Sequence, residues 1–160
     1  YNVKKGQEDA TLGEELEAVD NYIYILNVRF AGDIHFNKDV DESLENVRVP
    51  SMILQPVVEN AVNHGIRDIE WEGKIHLTVT GDADYIRISV KDNGKGMTPE
   101  QIESVLSGNK EHCNEQSDST GIGMNNVISR LELYYEEPGL VEINSDGENK
   151  GTEVVIYIPV

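Results

Sequence analysis

Three short segments carry side chains and turns that could bind a charged ligand. Residues 54–65 read L-Q-P-V-V-E-N-A-V-N-H-G and offer carboxylate and amide oxygens on a predicted helix. Residues 92–97 read D-N-G-K-G-M and place an acid before a glycine-rich turn. Residues 121–127 read G-I-G-M-N-N-V and predict a glycine turn that opens a helix. Together they supply a metal ligand, a base-reading carboxylate and a phosphate cradle, which is what a nucleotide pocket needs.

The helix that carries Asn60 is predicted over about residues 50–64, with Gly65 as its C-cap. Residues three and four apart on a helix are neighbours, so positions 59, 60, 63 and 64 share one face. The Asn60 oxygen suits Mg²⁺, which takes one or two protein oxygens and completes its shell with phosphate and water. A solvated polar face is the competing interpretation. Pro56 marks either a kink or the true first turn.

Asp92 is the best single candidate. Two predicted strands precede it, with apolar residues alternating at positions 75, 77 and 79 and again at 86, 88 and 90. Asp92 continues the inward-facing row, where a carboxylate is costly unless it is hydrogen-bonded. It could accept the exocyclic amine of adenine, while Gly94 and Gly96 let the backbone pass close to the ligand. An ordinary D-N-G turn is the alternative.

The segment from Gly121 to Gly123 precedes a predicted helix, whose free N–H groups and positive dipole end suit phosphate. A plain glycine-rich turn explains it too. The spacing is not a dinucleotide-binding fingerprint, because position 126 is Asn126, and no Walker G-K-[ST] sequence exists. Thr152 follows a glycine on the last strand and either supports the adenine site through a water or lies at the core edge.

The remaining elements must position these residues. Strand pairs joined by tight turns favour a mainly antiparallel sheet covered by helices on one face. Capping boxes at Thr11–Glu14 and Thr98–Gln101 predict two helix starts. The predicted bounds are about 11–32, 50–64, 98–106 and 124–137 for helices, and about 34–38, 75–79, 86–92, 140–145 and 152–158 for strands.

Composition excludes several functions. The chain has 160 residues and a formal net charge of −17, which argues against a nucleic-acid partner because such a surface is basic. Cys113 is the only cysteine, so no internal disulfide forms, and the four histidines lack zinc-site spacing. No apolar run is long enough to span a membrane and no signal peptide opens the chain, although the chain starts mid-pattern as a fragment would.

Residues 98–120 are expected to form a lid, because 107–120 hold almost nothing apolar. The sequence His35-Phe36-Asn37 superficially looks like a phosphoacceptor motif. It falls in a short predicted strand, so we interpret it as an accident of sequence.

These segments resemble the catalytic, ATP-binding domain of sensor histidine kinases in the GHKL superfamily, in particular the LytS/YesM class. The likeness covers nearly the whole chain. It is carried by residues 54–65, the upstream Arg29-Phe30, residues 92–97, residues 121–127 with Arg130-Leu131, and Gly151-Thr152.

The resemblance implies an α+β fold, a two-layer α/β sandwich of a mixed, mainly antiparallel sheet and three helices, with ATP under a mobile lid. It implies that Asn60 binds Mg²⁺, that Asp92 reads adenine, and that the glycines at 94, 96, 121 and 123 form the pocket backbone. The complete predicted site has Glu59 and Asn60 as catalytic residues, and Asn60, Asn63, His64, Asp92, Gly94, Gly96, Met97, Gly121, Ile122, Gly123, Met124 and Thr152 as ATP-binding residues.

The implied function is transfer of the γ-phosphoryl group of ATP to a histidine on an upstream dimerisation region that this chain lacks. Residues 1–32 would be the linker helix from that region and 33–160 the catalytic domain, within one structural unit. A homodimeric full-length protein, a response regulator as partner, and a cytoplasmic position in a membrane-anchored bacterial sensor follow. A serine kinase of the anti-sigma type and a non-catalytic docking module are the alternatives.

Two departures from the class bear on mechanism. The class often has lysine where this chain has Asn63, so Lys95, Lys110 or Arg67 would have to supply that charge. Hydrolysing members of the superfamily place a water-activating glutamate one turn before the magnesium asparagine, and Pro56 stands there instead. Proline cannot act as a base, which favours transfer to a partner over hydrolysis.

Overall fold

The computed structural model describes residues 9–29, 34–67, 69–107 and 118–160, with only the backbone for 118–122. The helices are α1 (Leu12–Arg29), α2 (Leu54–Asn60), α3 (Pro99–Ser107) and α4 (Asp118–Tyr135), with a 3₁₀ turn at Glu42–Leu44 and a π-helical turn at Ala61–Ile66. The strands are β1 (Asp9–Thr11), β2 (Ile34–Val40), β3 (Arg48–Pro50), β4 (Gly73–Gly81), β5 (Tyr85–Asp92), β6 (Val141–Asn144) and β7 (Thr152–Pro159).

Five strands form one mixed sheet in the order β2-β4-β5-β7-β6. The β2–β4 pair is parallel and the other three pairs are antiparallel. The predicted mixed, mainly antiparallel sheet is therefore confirmed. A second sheet pairs β1 with β3, and the sequence analysis missed it because strands of three residues carry too little periodicity.

The core lies between the main sheet and the helices. The alternating apolar residues of β4 and β5 face inward, as predicted, and those of β7 continue the same layer. Helix α1 contributes buried residues to this same core, so it packs as part of the domain. The division at 32/33 stays a prediction. The core residues of these four elements are Leu12, Leu16, Val19, Ile23, Ile75, Leu77, Val79, Ile86, Ile88, Val90, Val154, Ile156 and Ile158.

The predicted bounds of the second helix were wrong at both ends. Residues 48–50 are extended, because they pair with β1, and Met52 adopts a φ of 61°, which stops a helix from extending back past it. Pro56 therefore lies in the first turn of α2, where its missing N–H is not needed. Gly65 is not a C-cap but part of the π-helical turn, whose C-cap is Arg67.

The predicted glycine turn at 121–123 was also wrong. Helix α4 begins at Asp118, so Gly121 and Gly123 lie inside the helix and the free N–H groups of its first turn fall earlier in the chain. A glycine is permissive and does not by itself end a helix.

The two predicted capping boxes are confirmed. The Thr11 N–H donates to Glu14 Oε1 at 2.9 Å while the Glu14 N–H donates to Thr11 Oγ1 at 3.1 Å. Thr98 and Gln101 make the same reciprocal pair ahead of α3. Within the predicted lid at 98–120, residues 99–107 form α3 and α4 begins at Asp118, while residues 108–117 lie outside the described part of the chain, so the lid stays a prediction.

Replacing Gly123 by alanine tests the helical placement of this glycine. An added Cβ atom would meet nothing within 4 Å, so Gly123→Ala should raise the free energy of unfolding by about 0.5–1 kcal/mol through helix propensity. Gly94→Ala is the matched control, because its Cβ atom would lie 2.0 Å from the Gly65 carbonyl oxygen and should destabilise the fold by at least about 2 kcal/mol. Urea denaturation of both variants measures this, and a destabilised Gly123→Ala contradicts the helical placement.

Candidate functional site

Asn60 is the last residue of α2, and its side-chain oxygen is the first structural sign of a ligand. Among the described residues, no donor reaches this buried oxygen. A buried amide oxygen without a partner is costly, so native proteins rarely leave one unless an ion, water or ligand satisfies it. Glu59 beside it is half-buried and accepts a hydrogen bond from Gln55 Nε2 at 3.3 Å. The negative charge of Glu59, after burial, helps raise the pKa of Tyr22 to about 12.

Asp92 ends β5 with its side chain pointing into the protein. It is only 6% exposed, as its inward parity predicted. Its Oδ1 accepts the Gly94 N–H at 2.8 Å. Burial raises the pKa of Asp92 to about 6, against the backbone N–H groups of Gly94 and Thr152, which lower it. Two neutral donors do not fully replace water, so the carboxylate still has capacity for a further donor.

Three glycines provide the space that Asp92 and its backbone neighbours require. A Cβ atom at Gly65 would lie 2.8 Å from the carboxylate, and one at Gly151 would lie 2.2 Å from the Asp92 carbonyl oxygen. One at Gly94 would lie 2.0 Å from the Gly65 carbonyl oxygen. These distances are too short for side chains, so the π-helical turn, the end of β5 and the segment before β7 meet backbone to backbone.

Backbone hydrogen bonds hold the glycine-rich turn after β5 in this position. The Lys95 N–H donates to the Gly65 carbonyl at 2.9 Å, which ties the turn to the π-helical segment. The Gly151 N–H donates to the Gly94 carbonyl at 3.0 Å, and the Asn149 N–H donates to the Lys95 carbonyl at 2.7 Å. The Asp92 corner is therefore fixed by main-chain geometry, which preorganises it for a ligand.

His64 lies between the two ends of the site, in the π-helical turn. Burial lowers its pKa below 6.5, and the positive charges of Lys95 and Arg67 lower it further. The imidazole is therefore neutral at pH 7, and two permanent cations lie near enough to act on it. In a chain of net charge −17, this local positive field is what an anionic ligand requires.

Most of the predicted residues fall into two neighbouring groups. At the Asp92 corner lie Gly94, Gly96, Met97 and Thr152, with Thr152 paired to Asp92 across the sheet. Gly96 has a φ of 77°, and its Cβ atom would lie 2.0 Å from the Gly147 carbonyl oxygen. Along α2 and the π-helical turn lie Glu59, Asn60, Asn63 and His64, with Asn63 exposed.

The predicted residues on α4 are placed differently. Met124 is 1% exposed and belongs to the hydrophobic core. Gly121 and Ile122 are helical, and the structure describes only their backbone. Their roles toward a ligand stay predictions.

Sequence reasoning missed three residues that shape the site. The Ser145 hydroxyl accepts the Met97 N–H at 3.0 Å and donates to the Gly151 carbonyl at 2.7 Å. The Trp71 indole N–H donates to the Asn93 carbonyl at 2.7 Å. The Asn93 side chain in turn bridges the Glu72 carbonyl and the Lys74 N–H, each at 2.8 Å. The turn-forming composition of residues 145–151 was a signal for Ser145 and the D-N-G turn was one for Asn93, whereas Trp71 had none.

Comparison with known proteins agrees with this geometry. Residues 48–160 match the family described as Histidine kinase-, DNA gyrase B-, and HSP90-like ATPase. The chain is 34% identical over 160 residues to the sensor histidine kinase YpdA of Escherichia coli and 31% identical over 149 residues to the sensor histidine kinase YesM of Bacillus subtilis. These alignments cover 99% and 93% of this chain but only 26% and 24% of the relatives, so the chain spans about a quarter of their length.

Solved structures share the fold. The catalytic domain of the histidine kinase ThkA superposes with a TM-score of 0.66 at 22% identity, covering 96% of each chain. ThkA in complex with the response regulator protein TrrA gives a TM-score of 0.66 at 19% identity, covering 96% of this chain and 41% of that one. The α/β fold with a mixed sheet that the sequence predicted is thereby confirmed, although the described residues form four α-helices where the resemblance implied three.

The raised pKa of Asp92 predicts a pH dependence of stability. The folded protein holds this proton up to about pH 6, whereas the unfolded chain releases it near 3.8, so the folded state binds more protons between these values. The contribution of Asp92 to the free energy of unfolding should therefore fall by up to about 3 kcal/mol from pH 4 to pH 7 and stay flat above. Denaturant melts of the parent and Asp92→Asn from pH 4 to 8 measure the difference.

Asp82→Asn is the matched control, because backbone hydrogen bonds from Tyr85 and Asp84 lower the pKa of Asp82. Its contribution to stability should be lost as the pH falls, which is the opposite trend. A parent-minus-Asp92→Asn difference that does not change with pH contradicts the raised pKa.

Proposed function

Because this chain belongs to the Histidine kinase-, DNA gyrase B-, and HSP90-like ATPase family, we propose that it is the ATP-binding catalytic domain of a two-component sensor histidine kinase. In this proposal it transfers the γ-phosphoryl group of Mg-ATP to a histidine on an upstream dimerisation region. Membership of the family implies ATP binding. The observation that carries the proposal is the presence of two features in neighbouring segments. One is the buried Asn60 oxygen, which has no hydrogen-bond donor among the described residues, and the other is the buried Asp92 carboxylate, which is surrounded by glycines.

The donor set at Asn60 fits Mg²⁺. A neutral amide oxygen is a hard ligand, and its lack of a partner among the described residues leaves it free to coordinate. No three His, Cys, Asp or Glu side chains of the described residues converge on one point, so a divalent ion here would depend on Asn60 and on nucleotide phosphates. When bound, Mg²⁺ supplies neutralisation of the phosphate charge.

The Asp92 carboxylate suits the amino group of adenine. Above pH 6 the carboxylate is mostly ionised and accepts hydrogen bonds. Because it is buried, a base without a matching donor would leave it without a hydrogen bond, which is costly. The glycines at 65, 94 and 151 let the backbone approach Asp92 closely, so a base bound there would lie next to main-chain atoms. His64 lies in the π-helical turn that follows Asn60, with the positive charges of Lys95 and Arg67 close enough to favour an anion.

The position of Pro56 favours transfer over hydrolysis. Pro56 lies in the first turn of α2, one turn before Asn60, where it has no group that could activate water. Phosphoryl transfer needs positioning and charge neutralisation, and the acceptor brings its own nucleophile. A glutamate at 59 next to Asn60 remains the candidate for orienting that acceptor.

One observation favours a second candidate function. The exposed Asn63 stands where the LytS/YesM class often has lysine, so a partner-docking module with weakened ATP binding is the alternative. Lys95 and Arg67, whose positive charges lower the pKa of His64, could replace the missing charge. Nucleotide titration with and without Mg²⁺ separates the two functions.

The proposed partners follow from the histidine kinase function. They are the histidine-bearing dimerisation region, a second copy in the full-length protein, and a response regulator; one solved structure of ThkA contains such a regulator. Among the described residues, no helix combines the length and apolarity that a membrane span requires. Because the relatives are sensor histidine kinases, we propose that the domain lies in the cytoplasm as part of a membrane-anchored sensor.

Phosphoryl transfer tests the proposal. The chain alone should show little labelling from γ-labelled ATP, because it lacks the acceptor region, and only slow hydrolysis, because of Pro56. Adding the upstream region of the natural gene, in cis or as a fragment, should give acid-labile labelling on that region. Asn60→Ala should reduce this labelling at least about a hundredfold by removing a metal ligand.

His35→Ala is the control for self-labelling. His35 lies in edge strand β2 and pairs with Glu72, which is a structural setting. Labelling of the isolated chain that disappears in His35→Ala would make His35 the acceptor and overturn the proposal.

A further inference from the structure

Glu15 is a buried carboxylate that the proposed mechanism does not use. It lies in the first turns of α1 and is 6% exposed. Its two oxygens accept three backbone N–H groups 37 to 39 residues later in the chain: Met52 at 3.0 Å, Ile53 at 2.8 Å and Leu54 at 3.2 Å. Met52 and Ile53 lie directly before α2 and Leu54 is its first residue, so all three N–H groups belong to the start of the helix that ends at Asn60.

This turn lacks a cap of its own. The first N–H groups of a helix have no acceptor within the helix, and Ser, Thr, Asp or Asn at the N-cap normally supplies one. Here the N-cap is Ile53, which makes no side-chain hydrogen bond and is fully buried. Glu15 provides the acceptors from another helix, with a negative charge that suits the helix start. Arg130 of α4 adds a second hold on the turn by donating to the Ser51 carbonyl at 3.3 Å.

The hydrogen bonds from Glu15 define the position of α2 more sharply than its packing does. The apolar side of α2 consists of the fully buried Leu54, Val57 and Val58. Hydrophobic burial holds a helix against its neighbours but is non-directional, so it defines rotation and axial position less sharply than directional hydrogen bonds do. Three hydrogen bonds to one carboxylate fix both the rotation and the axial position of α2. Asn60 lies six residues beyond Leu54, about 9 Å along the axis, so any rotation of the first turn carries to its side chain.

We propose that Glu15 is a positioning residue that sets the axial and rotational position of α2, and through it the place of the Asn60 oxygen relative to the Asp92 corner. This inference rests on the proposed function for the role of Asn60. It makes α1 part of the metal-binding machinery, because a displacement of α1 against α2 would move the Asn60 oxygen. The distinguishing property is a selective effect on the Mg²⁺-dependent part of nucleotide affinity.

The test compares Glu15→Gln with Glu17→Gln in the 160-residue chain. Glu17 lies two residues later on the same helix and is exposed, so its variant controls for loss of one charge. Calorimetry measures the affinity for ADP in EDTA and in excess Mg²⁺. The Mg²⁺-dependent gain is the ratio of the ADP affinity in Mg²⁺ to the ADP affinity in EDTA. Glu15→Gln should reduce this gain by about tenfold, because the metal ligand Asn60 is displaced, while the affinity in EDTA stays within about twofold of the parent. Glu17→Gln should leave both values unchanged.

A residue that only stabilises the fold would lower the melting temperature and leave the Mg²⁺-dependent gain of the folded protein intact. That result overturns the proposal, as does an equal loss of affinity with and without Mg²⁺. Should Glu15→Gln fail to fold, Glu15→Asp takes its place, since it keeps the charge and shortens the reach by one methylene. A partial loss of the gain supports the proposal, and an unchanged gain contradicts it.

A ligand-free readout separates this inference from the proposed function. If the parent binds no nucleotide, the proposed function fails, and Glu15 is then judged by NMR of the free protein. Glu15→Gln should speed amide exchange at Ile53 and Leu54 and shift the Asn60 side-chain amide resonances, whereas Glu17→Gln should do neither. Unshifted Asn60 resonances in Glu15→Gln contradict the positioning role.

Discussion

The burial of the Asp92 carboxylate is the constraint on which the rest of the site depends. A carboxylate with two neutral backbone donors in an apolar layer is held at a cost, which its raised pKa expresses. The carboxylate is surrounded by main chain rather than by side chains, because Gly65, Gly94 and Gly151 let three segments converge on this residue. An inward acid that has no ion pair among the described residues and is not fully hydrogen-bonded is characteristic of a binding site, and here three glycine-containing segments converge on it.

A second constraint complements the first at the other end of the site. Asn60 carries an oxygen without a partner among the described residues, on a helix whose start is capped from α1 and held again from α4. The two ends are joined through the π-helical turn, in which Gly65 contacts the Asp92 corner and His64 lies between. The unusual π geometry is concentrated at this junction, as is common at functional sites. The site thus joins the end of β5 to helix α2 through the π-helical turn.

The sequence predicted those parts of the fold that depend on local patterns. Strict alternation in β4 and β5 identified the inward face, and its parity correctly buried Asp92. The two capping boxes formed as expected because each needs only four consecutive residues. Asn60 and Asp92 were identified as candidates from residue type and spacing.

The features that were wrong or missed depend on tertiary contacts. The start of α2 is determined by pairing of residues 48–50 with β1 and by Glu15, both distant in sequence. The glycines of α4 looked like a turn because propensity disfavours them in helices, yet context overrode it. Ser145 accepts the Met97 N–H and Trp71 donates to the Asn93 carbonyl, and such contacts with the backbone of the glycine-rich turn leave no residue pattern.

The central claim is that the Asp92 carboxylate recognises adenine beside a Mg²⁺ ligand, and calorimetric titration of ATP and GTP at pH 8 tests it most directly. The parent should bind ATP with strong Mg²⁺ dependence and prefer it to GTP. Asp92→Asn should lose about 1–3 kcal/mol of ATP binding, the cost of mismatching a buried polar group, and most of the preference over GTP. Asp82→Asn should bind as the parent does. Unchanged ATP affinity and base preference in Asp92→Asn would contradict the account.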